Sequence, residues 1–328
     1  MKLLDVKNLK KYFPLDTGLF AYLFTKEKRV VRAVDDISFF IRKGEVLGLA
    51  GESGCGKTTT GRLALRLLDP TAGQILYRGQ PLFESSPEEM RKMRENMQVI
   101  FQDPFASLNP RMRIGDSIGH PLAIHSNRRT SEVRDHSLEI MEKVGMSPAS
   151  FLYDKYPHQL SGGQRQRVVI ARALITNPDF VVADEPIAMG DVSVSAMILE
   201  LMVKLKEEFD LTYLFITHDL ATCNYICDRI AIMYLVKKME IGPLESGFKH
   251  TVHPYTFSLL AAVPVPDPKF KRKHAIPKGE IPSAIDPPSG CRFHPRCNFA
   301  VAQCSESVPG LVEVDPDHWV ACPVMARG

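Results

Sequence analysis

The residues best suited to chemistry form a glycine-rich segment that ends in a lysine and a threonine. Gly51-Glu-Ser-Gly-Cys-Gly-Lys-Thr58, called the phosphate loop below, fits G-x-x-x-x-G-K-[ST] and lies between an apolar run and a helix-like run. In such a loop, backbone N–H groups surround a phosphate chain, the lysine meets the β- and γ-phosphates, and the threonine hydroxyl can ligate Mg²⁺. A glycine-rich turn without a ligand is the alternative. The predicted nucleotide-binding residues are Gly51, Ser53, Gly54, Cys55, Gly56, Lys57, Thr58 and Thr59.

An apolar run that ends in two carboxylates supplies the second half of such a site. Phe180-Val-Val-Ala-Asp184-Glu185 predicts a buried strand whose carboxyl end opens onto the ligand crevice of an α/β sheet. Asp184 is predicted to bind Mg²⁺ directly or through water, and Glu185 to activate the attacking water as a general base. Together with the phosphate loop, this pair indicates nucleotide chemistry, without choosing among kinases, helicases and GTPases.

A further set of reactive side chains lies near the C-terminus. Four of the seven cysteines fall within the last 38 residues, and five, six and 17 positions separate them. Four thiolates suit a [4Fe–4S] cluster or tetrahedral Zn²⁺, although the C-x2-C pairs common in structural zinc sites are missing. Unligated cysteines are the third alternative, and His294 and His318 could substitute as ligands. The four are Cys291, Cys297, Cys304 and Cys322, and the predicted packing thiols are Cys55, Cys223 and Cys227.

The phosphate loop and the acidic pair need strands to position them. Short apolar, β-prone runs alternate with helix-length segments, which predicts an α/β fold with a mostly parallel sheet buried on both faces. An amphipathic helix is predicted over Glu132–Val144, and an extended hairpin or loop insertion over Tyr12–Val34. The predicted strands are Glu45–Ala50, Met97–Phe101, Phe180–Ala183, Tyr213–Thr217 and Arg229–Tyr234.

Length and composition limit the class of protein. The chain has 328 residues, of which 45% are hydrophobic and 24% charged, so it can bury a core and is not disordered. Seven prolines lie between residues 264 and 288. We therefore expect an α/β core, residues 1–262, followed by an irregular C-terminal segment, residues 263–328.

Charge and hydropathy exclude two kinds of role. The net charge is only +3, which offers no broad basic field, so nucleic acid is not an expected ligand. No apolar run approaches the roughly 20 residues that a bilayer crossing requires, so the chain is not expected to span a membrane. The charged N-terminal residues lack the apolar core of a secretory signal, which predicts a cytoplasmic location.

The segment that precedes the acidic pair identifies a family. Leu160-Ser-Gly-Gly-Gln164, followed by Arg165–Leu174, resembles the signature motif of ATP-binding cassette (ABC) proteins. Ser161 is predicted to cap a helix whose first turn exposes backbone N–H groups, which makes a second phosphate site. The resemblance implies that Ser161, Gly162, Gly163 and Gln164 close on the γ-phosphate held by a second cassette, so that two cassettes sandwich two ATP molecules.

Other motifs match the same family, and the resemblance implies their roles. Gln102 lies in a segment that resembles the Q-loop, where the glutamine senses Mg²⁺ and the attacking water. His218 resembles the switch histidine, which holds the γ-phosphate and orients Glu185. Phe13, with Tyr12 in reserve, resembles the aromatic residue that stacks on adenine, and a core aromatic is the alternative.

Two segments depart from the family pattern. In the segment after Glu185 that resembles the family's D-loop, Asp191 is kept but Ala188-Met189-Gly190 replaces its usual neighbours. The sequence therefore does not decide how the two ATP sites of a cassette pair are coupled. Val236 stands where the family usually has glycine in a tight hairpin, and a β-branched residue tolerates a positive φ poorly. Neither change removes a nucleotide-contacting group, so ATP hydrolysis is still expected.

The cysteines, with Ser107-Leu-Asn-Pro110 and Tyr156-Pro-His-Gln-Leu160, resemble one branch of the family, the oligopeptide and dipeptide permease ATPases. The resemblance implies a P-loop NTPase fold of the ABC ATPase type. This fold has a RecA-like core sheet, an antiparallel β subdomain, a helical subdomain over residues 103–160 and a Cys-rich C-terminal extension. In that branch the four cysteines hold a [4Fe–4S] cluster.

The resemblance also implies a function and partners. The expected protein is an ATP hydrolase that uses ATP and Mg²⁺ to energise an importer at the cytoplasmic face of the cell membrane. Expected partners are a second ABC ATPase, related but distinct, two transmembrane permease subunits and an extracytoplasmic solute-binding protein. Di- or oligopeptides are the expected cargo, with oligosaccharides and nickel left open. A soluble cassette protein of the ribosome or of DNA repair, and a non-catalytic cassette, are the rival classes.

Overall fold

A computed structural model describes residues 1–15, 29–126, 128–187, 191–244, 252–262 and 279–325. The chain divides into two compact units. The first contains Met1, Ile41–Val46 and Glu84–Ile216. The second contains Lys2–Phe40, Leu47–Phe83 and Thr217–Gly328. Residues from both ends of the chain therefore share the second unit.

The helices and strands are numbered along the chain. The strands are β1 (Lys2–Pro14), β2 (Val30–Arg42), β3 (Val46–Ala50), β4 (Ala72–Tyr77), β5 (Gln80–Pro81), β6 (Met97–Ile100), β7 (Phe180–Asp184), β8 (Thr212–Thr217), β9 (Arg229–Tyr234), β10 (Lys237–Pro243), β11 (Val312–Asp315) and β12 (His318–Val320). The α-helices are α1 (Lys57–Ala64), α2 (Pro87–Asn96), α3 (Pro104–Ser107), α4 (Ile114–His125), α5 (Thr130–Lys143), α6 (Ala149–Tyr153), α7 (Gly162–Leu174), α8 (Val192–Phe209), α9 (Leu220–Ile226), α10 (Pro254–Ala262) and α11 (Ala302–Glu306). Short 3₁₀ turns cover Pro157–Gln159 and His294–Arg296.

The first unit is built on parallel strands. β7 pairs with β6 on one side and with β8 on the other, and every residue of β7 and β8 is buried. Strands buried on both faces are expected to be continuous apolar runs, and these are apolar apart from Asp184 and the two terminal threonines of β8. Ile100 pairs with Ala183, so the residues that follow β6 and β7 emerge side by side. Helices α4, α5 and α7 pack on one another in the same unit.

The second unit contains a mixed set of strands. β3 pairs in parallel with β9, and β9, β10, β12 and β11 then pair in antiparallel order. The expectation of an irregular C-terminal segment is wrong in part, because β11 and β12 form a hairpin on β10, with Glu240 opposite Val320. Residues 263–278 lie outside the described residues. The predicted strands pair in parallel as expected, and the added strands β10, β12 and β11, which are antiparallel, make the sheet a mixed one.

A second sheet in this unit has the order β2-β1-β4-β5. β1 and β2 are neighbours, and the Leu15 N–H donates to the Arg29 carbonyl at 3.0 Å, where the two strands approach each other. The two ends of the hairpin predicted over Tyr12–Val34 are therefore paired strands. Its central residues, 16–28, lie outside the described part.

The turn between β9 and β10 contains the atypical Val236. Tyr234 pairs with Lys237, and Leu235 and Val236 between them have φ values of 39° and 65°. A positive φ at a β-branched residue costs about 1–3 kcal/mol and persists only where surrounding contacts require it. The Val236 N–H donates to the Cys55 carbonyl at 3.2 Å, and its carbonyl accepts from the Asp35 N–H at 2.9 Å. Both bonds hold the turn in this conformation.

The predicted strands are all present, within one or two residues of their expected ends, and the helix predicted over Glu132–Val144 is α5. Each had a strong local pattern of apolar residues. None of the helices in the described part of the chain combines the length and the apolar character that a membrane crossing requires.

Candidate nucleotide-binding site

The phosphate loop lies between β3 and α1 and is tightly fitted to its surroundings. Gly51 and Gly56 have φ values of 151° and 103°, and a Cβ at these positions would lie 2.1 Å from the Met233 carbonyl oxygen and 2.2 Å from that of Ala33. Only glycine fits there. Lys57 is 5% exposed, and its ammonium donates to the carbonyls of Gly51 at 2.7 Å and of Glu52 at 3.1 Å. A cation is thus held among backbone groups at a helix N-terminus, the arrangement that suits a phosphate chain.

Contacts from distant parts of the second unit also hold this loop. The Glu52 carboxylate accepts from both terminal nitrogens of Arg296, at 2.8 and 3.3 Å, and the Glu52 N–H donates to the Tyr255 hydroxyl at 2.9 Å. Sequence reasoning missed these residues. Arg296 lies 244 positions from Glu52, and no local pattern signals such a pairing.

The acidic pair lies at the end of β7 in the first unit. Asp184 is buried, and Glu185 follows it with a φ of 47°. The Glu185 N–H donates to the Ile216 carbonyl at 2.9 Å, which fixes this backbone conformation. The side-chain amide of Gln102 donates to Glu185 Oε2 at 2.9 Å, so the structure brings these two predicted residues together. A glutamine so placed can orient the carboxylate of a general base.

The start of α7, residues Ser161–Gln164, is called the signature segment. Ser161 caps the helix as predicted: its hydroxyl accepts from the Gln164 N–H at 3.3 Å, and the Gln164 side chain accepts from the Ser161 N–H at 3.0 Å. A Cβ at Gly162 would have no atom of the described residues within 4 Å. The segment therefore presents backbone N–H groups on an open surface of the first unit.

The remaining predicted residues lie at the ends of strands and helices. His218 directly follows β8 and is exposed, and Asp191 caps α8 by accepting from the Val194 N–H at 2.9 Å. That backbone hydrogen bond, with one from Ser193, lowers the pKa of Asp191. The D-loop residues 188–190 lie outside the described residues.

The two candidate adenine-stacking residues differ in their contacts. The Phe13 ring is 37% exposed, with the Lys11 ammonium 4.9 Å from its centroid. The Tyr12 hydroxyl donates to Asp35 at 2.6 Å, and burial together with this carboxylate raises the pKa of Tyr12 to about 12. Tyr12 is thus held by a hydrogen bond to Asp35, whereas Phe13 is partly exposed and the Lys11 ammonium lies over its ring.

The four C-terminal cysteines line one cavity of the second unit, together with His253 and His294. Burial raises the pKa of the Cys291 thiol to about 11, and the neighbouring cysteines contribute to the rise. Backbone N–H groups of Phe299 and Met325 donate to the sulfurs of Cys297 and Cys322, each at 3.4 Å. His318 is not part of this lining; it bonds Glu240 at 2.7 Å instead.

The structure does not confirm the predicted metal site. Within the described residues, no group of three or more His, Cys, Asp or Glu side chains is placed so that it could hold a metal ion. All seven cysteines are described, and no disulfide joins any two of them. The three predicted packing thiols, Cys55, Cys223 and Cys227, are buried.

Comparison with known proteins identifies the class that this fold and loop define. The ABC transporter family matches residues 34–188, and the family described as "Oligopeptide/dipeptide transporter, C-terminal region" matches residues 239–304. Among solved structures, a dimeric post-hydrolysis state of the ATP-binding cassette MJ0796 bound to ADP and Pi has a TM-score of 0.64 and 26% identity, covering 74% of this chain and 98% of that one.

Whole-chain relatives narrow the class. The oligopeptide transport ATP-binding protein AppF of Bacillus subtilis is 46% identical over 98% of this chain and 96% of its own length. The dipeptide transport ATP-binding protein DppF of Haemophilus influenzae is 44% identical over 98% of this chain and 96% of its own length. The chain belongs to the ATP-binding proteins of the ABC transporters, in the oligopeptide and dipeptide branch.

Proposed function

We propose that this chain is the ATP-hydrolysing subunit that energises an ABC importer of dipeptides or oligopeptides from the cytoplasmic face of the membrane. The observation that carries the proposal is the phosphate loop, in which the Lys57 ammonium is buried among backbone groups at the start of α1. The peptide cargo is inferred from the relatives' names and from the C-terminal family match. The proposed cassette covers residues 1–262, with a helical subdomain over 103–160, and the extension covers 263–328.

Each predicted residue has a proposed role in hydrolysis. Loop N–H groups and Lys57 bind the phosphates, and Phe13 stacks on adenine, a role that its partial exposure supports. Glu185 takes a proton from the attacking water, Gln102 holds that carboxylate through its hydrogen bond, and His218 contacts the γ-phosphate.

Three predicted residues carry the oxygen donors proposed to bind Mg²⁺. Thr58, Asp184 and Gln102 supply hydroxyl, carboxylate and amide oxygens, the ligand types that this hard cation prefers. When bound, Mg²⁺ neutralises charge on the β- and γ-phosphates.

The signature segment is proposed to act on ATP held by a second cassette. Its exposed N–H groups and the bare surface at Gly162 support this role, and Asp191 is proposed to lie at the same interface. The cassette MJ0796 was solved as a dimer bound to ADP and Pi, which also supports a cassette pair. We propose a related but distinct second cassette, two permease subunits and a solute-binding protein as partners.

The four cysteines are proposed to hold a [4Fe–4S] cluster, with Zn²⁺ as the alternative, which requires their side chains to converge further than they do in the described structure. The support is their shared cavity and the N–H donors to two of the sulfurs, which stabilise thiolates. Iron, sulfide and zinc are measured on protein purified without oxygen. Four irons with matching sulfide per chain are expected, and one zinc or no metal would contradict the cluster.

The proposed function is tested by purifying the tagged chain without oxygen from its native membranes in mild detergent and identifying associated proteins by mass spectrometry. Two multi-span permease chains, a second cassette and a solute-binding protein that binds peptides are expected. A binding protein for oligosaccharides or nickel would contradict the peptide cargo. Ribosomal or DNA-repair proteins would contradict an importer.

A further inference from the structure

One side chain joins the cysteine-rich segment to the phosphate loop. Arg296, directly before Cys297, lies in the 3₁₀ turn His294–Arg296 and its side chain is 9% exposed. Its two terminal nitrogens reach the two carboxylate oxygens of Glu52, at 2.8 and 3.3 Å. Two parallel N–H···O bonds of this kind fix geometry as well as supplying energy, which a lysine at the same place could not do.

Each polar group of the partner residue, Glu52, has a hydrogen-bond partner. Its carboxylate meets Arg296, its N–H donates to Tyr255, and its carbonyl accepts from the Lys57 ammonium at 3.1 Å. The last contact involves the cation proposed to bind the β- and γ-phosphates. A shift of Glu52 would therefore move the carbonyl oxygen to which the Lys57 ammonium is hydrogen-bonded.

Arg296 is itself well supported. Its guanidinium donates to the Tyr234 hydroxyl at 3.3 Å, and the Tyr234, Tyr255 and Phe293 rings pack with centroid separations of 4.6 to 5.3 Å. All three rings are at most 2% exposed. The ion pair thus rests on a packed aromatic cluster, unlike an exposed pair between two mobile side chains, which contributes little.

The charge of Glu52 supplies a second argument. Its carboxylate belongs to a loop whose proposed ligand is a triphosphate, and unpaired negative charge there would oppose binding of that ligand. An arginine guanidinium stays protonated in proteins, and the one of Arg296 lies 2.8 Å from a Glu52 carboxylate oxygen. Arg296 therefore neutralises Glu52 as well as orienting it.

We propose that Arg296 is a positioning residue of the nucleotide site, which holds the phosphate loop in its ATP-binding conformation through Glu52. This inference rests on the proposed binding of ATP at Gly51–Thr58. It makes the cysteine-rich segment part of the nucleotide site, since Arg296 and Cys297 are adjacent.

The test is equilibrium binding of a fluorescent ATP analogue with Mg²⁺ to the full chain, with the melting temperature of each variant measured in parallel. Arg296→Met keeps the aliphatic stem and is expected to raise the Kd about tenfold, within the usual range for coupling between sites. Arg296→Lys restores the charge without the fork and is expected to give an intermediate Kd.

His318→Gln is the matched control. It removes another buried bond between the C-terminal segment and the rest of the unit, the one to Glu240, and the polar partners that the structure shows for His318, which are Glu240 and Asp315, lie outside the phosphate loop. This variant is expected to melt at a lower temperature with an unchanged Kd.

A folded Arg296→Met variant with the wild-type Kd would overturn the proposal. If that variant does not fold, a wild-type Kd in Arg296→Lys would overturn it. So would a Kd that rises as much in His318→Gln as in Arg296→Met. Failure of the wild-type chain to bind the analogue would instead contradict the proposed function.

Discussion

The phosphate loop and the signature segment present the same chemistry, backbone N–H groups at the start of a helix, but the protein holds them differently. The phosphate loop is closed in on several sides, by the carbonyls of Ala33 and Met233, by the turn at Val236 and by Arg296. The signature segment is held by its own capping box, and within the described residues nothing lies close to the Cβ position of Gly162.

This difference agrees with the proposed roles of the two segments. A loop that grips its own nucleotide gains affinity from being pre-organised, because less conformational entropy is lost on binding. A segment that meets a nucleotide on another subunit has to remain accessible until the two subunits close. We therefore expect substitutions at equivalent glycines to have very different effects.

The largest difference is expected between Gly56→Ala and Gly162→Ala. At Gly56 the new methyl would lie 2.2 Å from the Ala33 carbonyl at a φ of 103°. Because backbone would have to move, we expect a loss of more than about 4 kcal/mol of stability or of ATP binding. At Gly162 we expect a change within about 0.5 kcal/mol. Urea unfolding measures the stability of each variant, and binding of an ATP analogue to the isolated chain measures its affinity. Similar losses in Gly56→Ala and Gly162→Ala would contradict the difference between the phosphate loop and the signature segment.

Acid is expected to lower the stability of the second unit through His253, a neighbour of Tyr255, which hydrogen-bonds to the phosphate loop. His253 is fully buried beside Tyr255, and burial lowers its pKa from 6.5 to about 4. Since the unfolded chain binds this proton at a higher pH than the folded chain, stability is lost as the pH falls from 6.5 toward 4, by about 3 kcal/mol in total.

Urea midpoints at pH 7 and pH 4.5 measure this loss. His253→Asn keeps an acceptor for the Tyr255 N–H but does not titrate in this range, so its midpoint is expected to fall less than that of the wild type. Equal falls in the two proteins would show that His253 does not carry the effect.

The smallest predicted effect is at the capping box of the signature segment. Ser161→Ala removes the acceptor for the Gln164 N–H and is expected to lower the stability of the first unit by about 1 kcal/mol. Ser161→Asn, which can still cap, serves as the control. Hydrogen exchange of the α7 amides reports the loss, and equal protection in Ser161→Ala and wild type would contradict it.

Local patterns made much of this architecture predictable. The core strands are apolar runs bounded by turns, and the phosphate loop and the cap of α7 are short motifs with fixed spacing. Helix α5 followed from its amphipathic period. The hydrogen bond of Gln102 to Glu185 was not predicted: the family resemblance gave each residue a role of its own, and 83 residues separate the two.

Nonlocal contacts account for what was missed. β11 has only polar and β-branched residues and is mostly exposed, so it forms a strand because it pairs with β12, which in turn pairs with β10. The pair of Arg296 with Glu52 likewise depends on the folded second unit. Residue spacing alone carries no signal for either contact.

The central claim is that this chain hydrolyses ATP with Glu185 as the general base. Single-turnover hydrolysis is measured in the assembled transporter, in which the equivalent base of the partner cassette has been replaced by glutamine. Glu185→Gln keeps an oxygen for Gln102 but cannot take a proton. It is expected to slow hydrolysis about 10²- to 10⁴-fold with an unchanged Kd for ATP. Hydrolysis at the wild-type rate would contradict the claim.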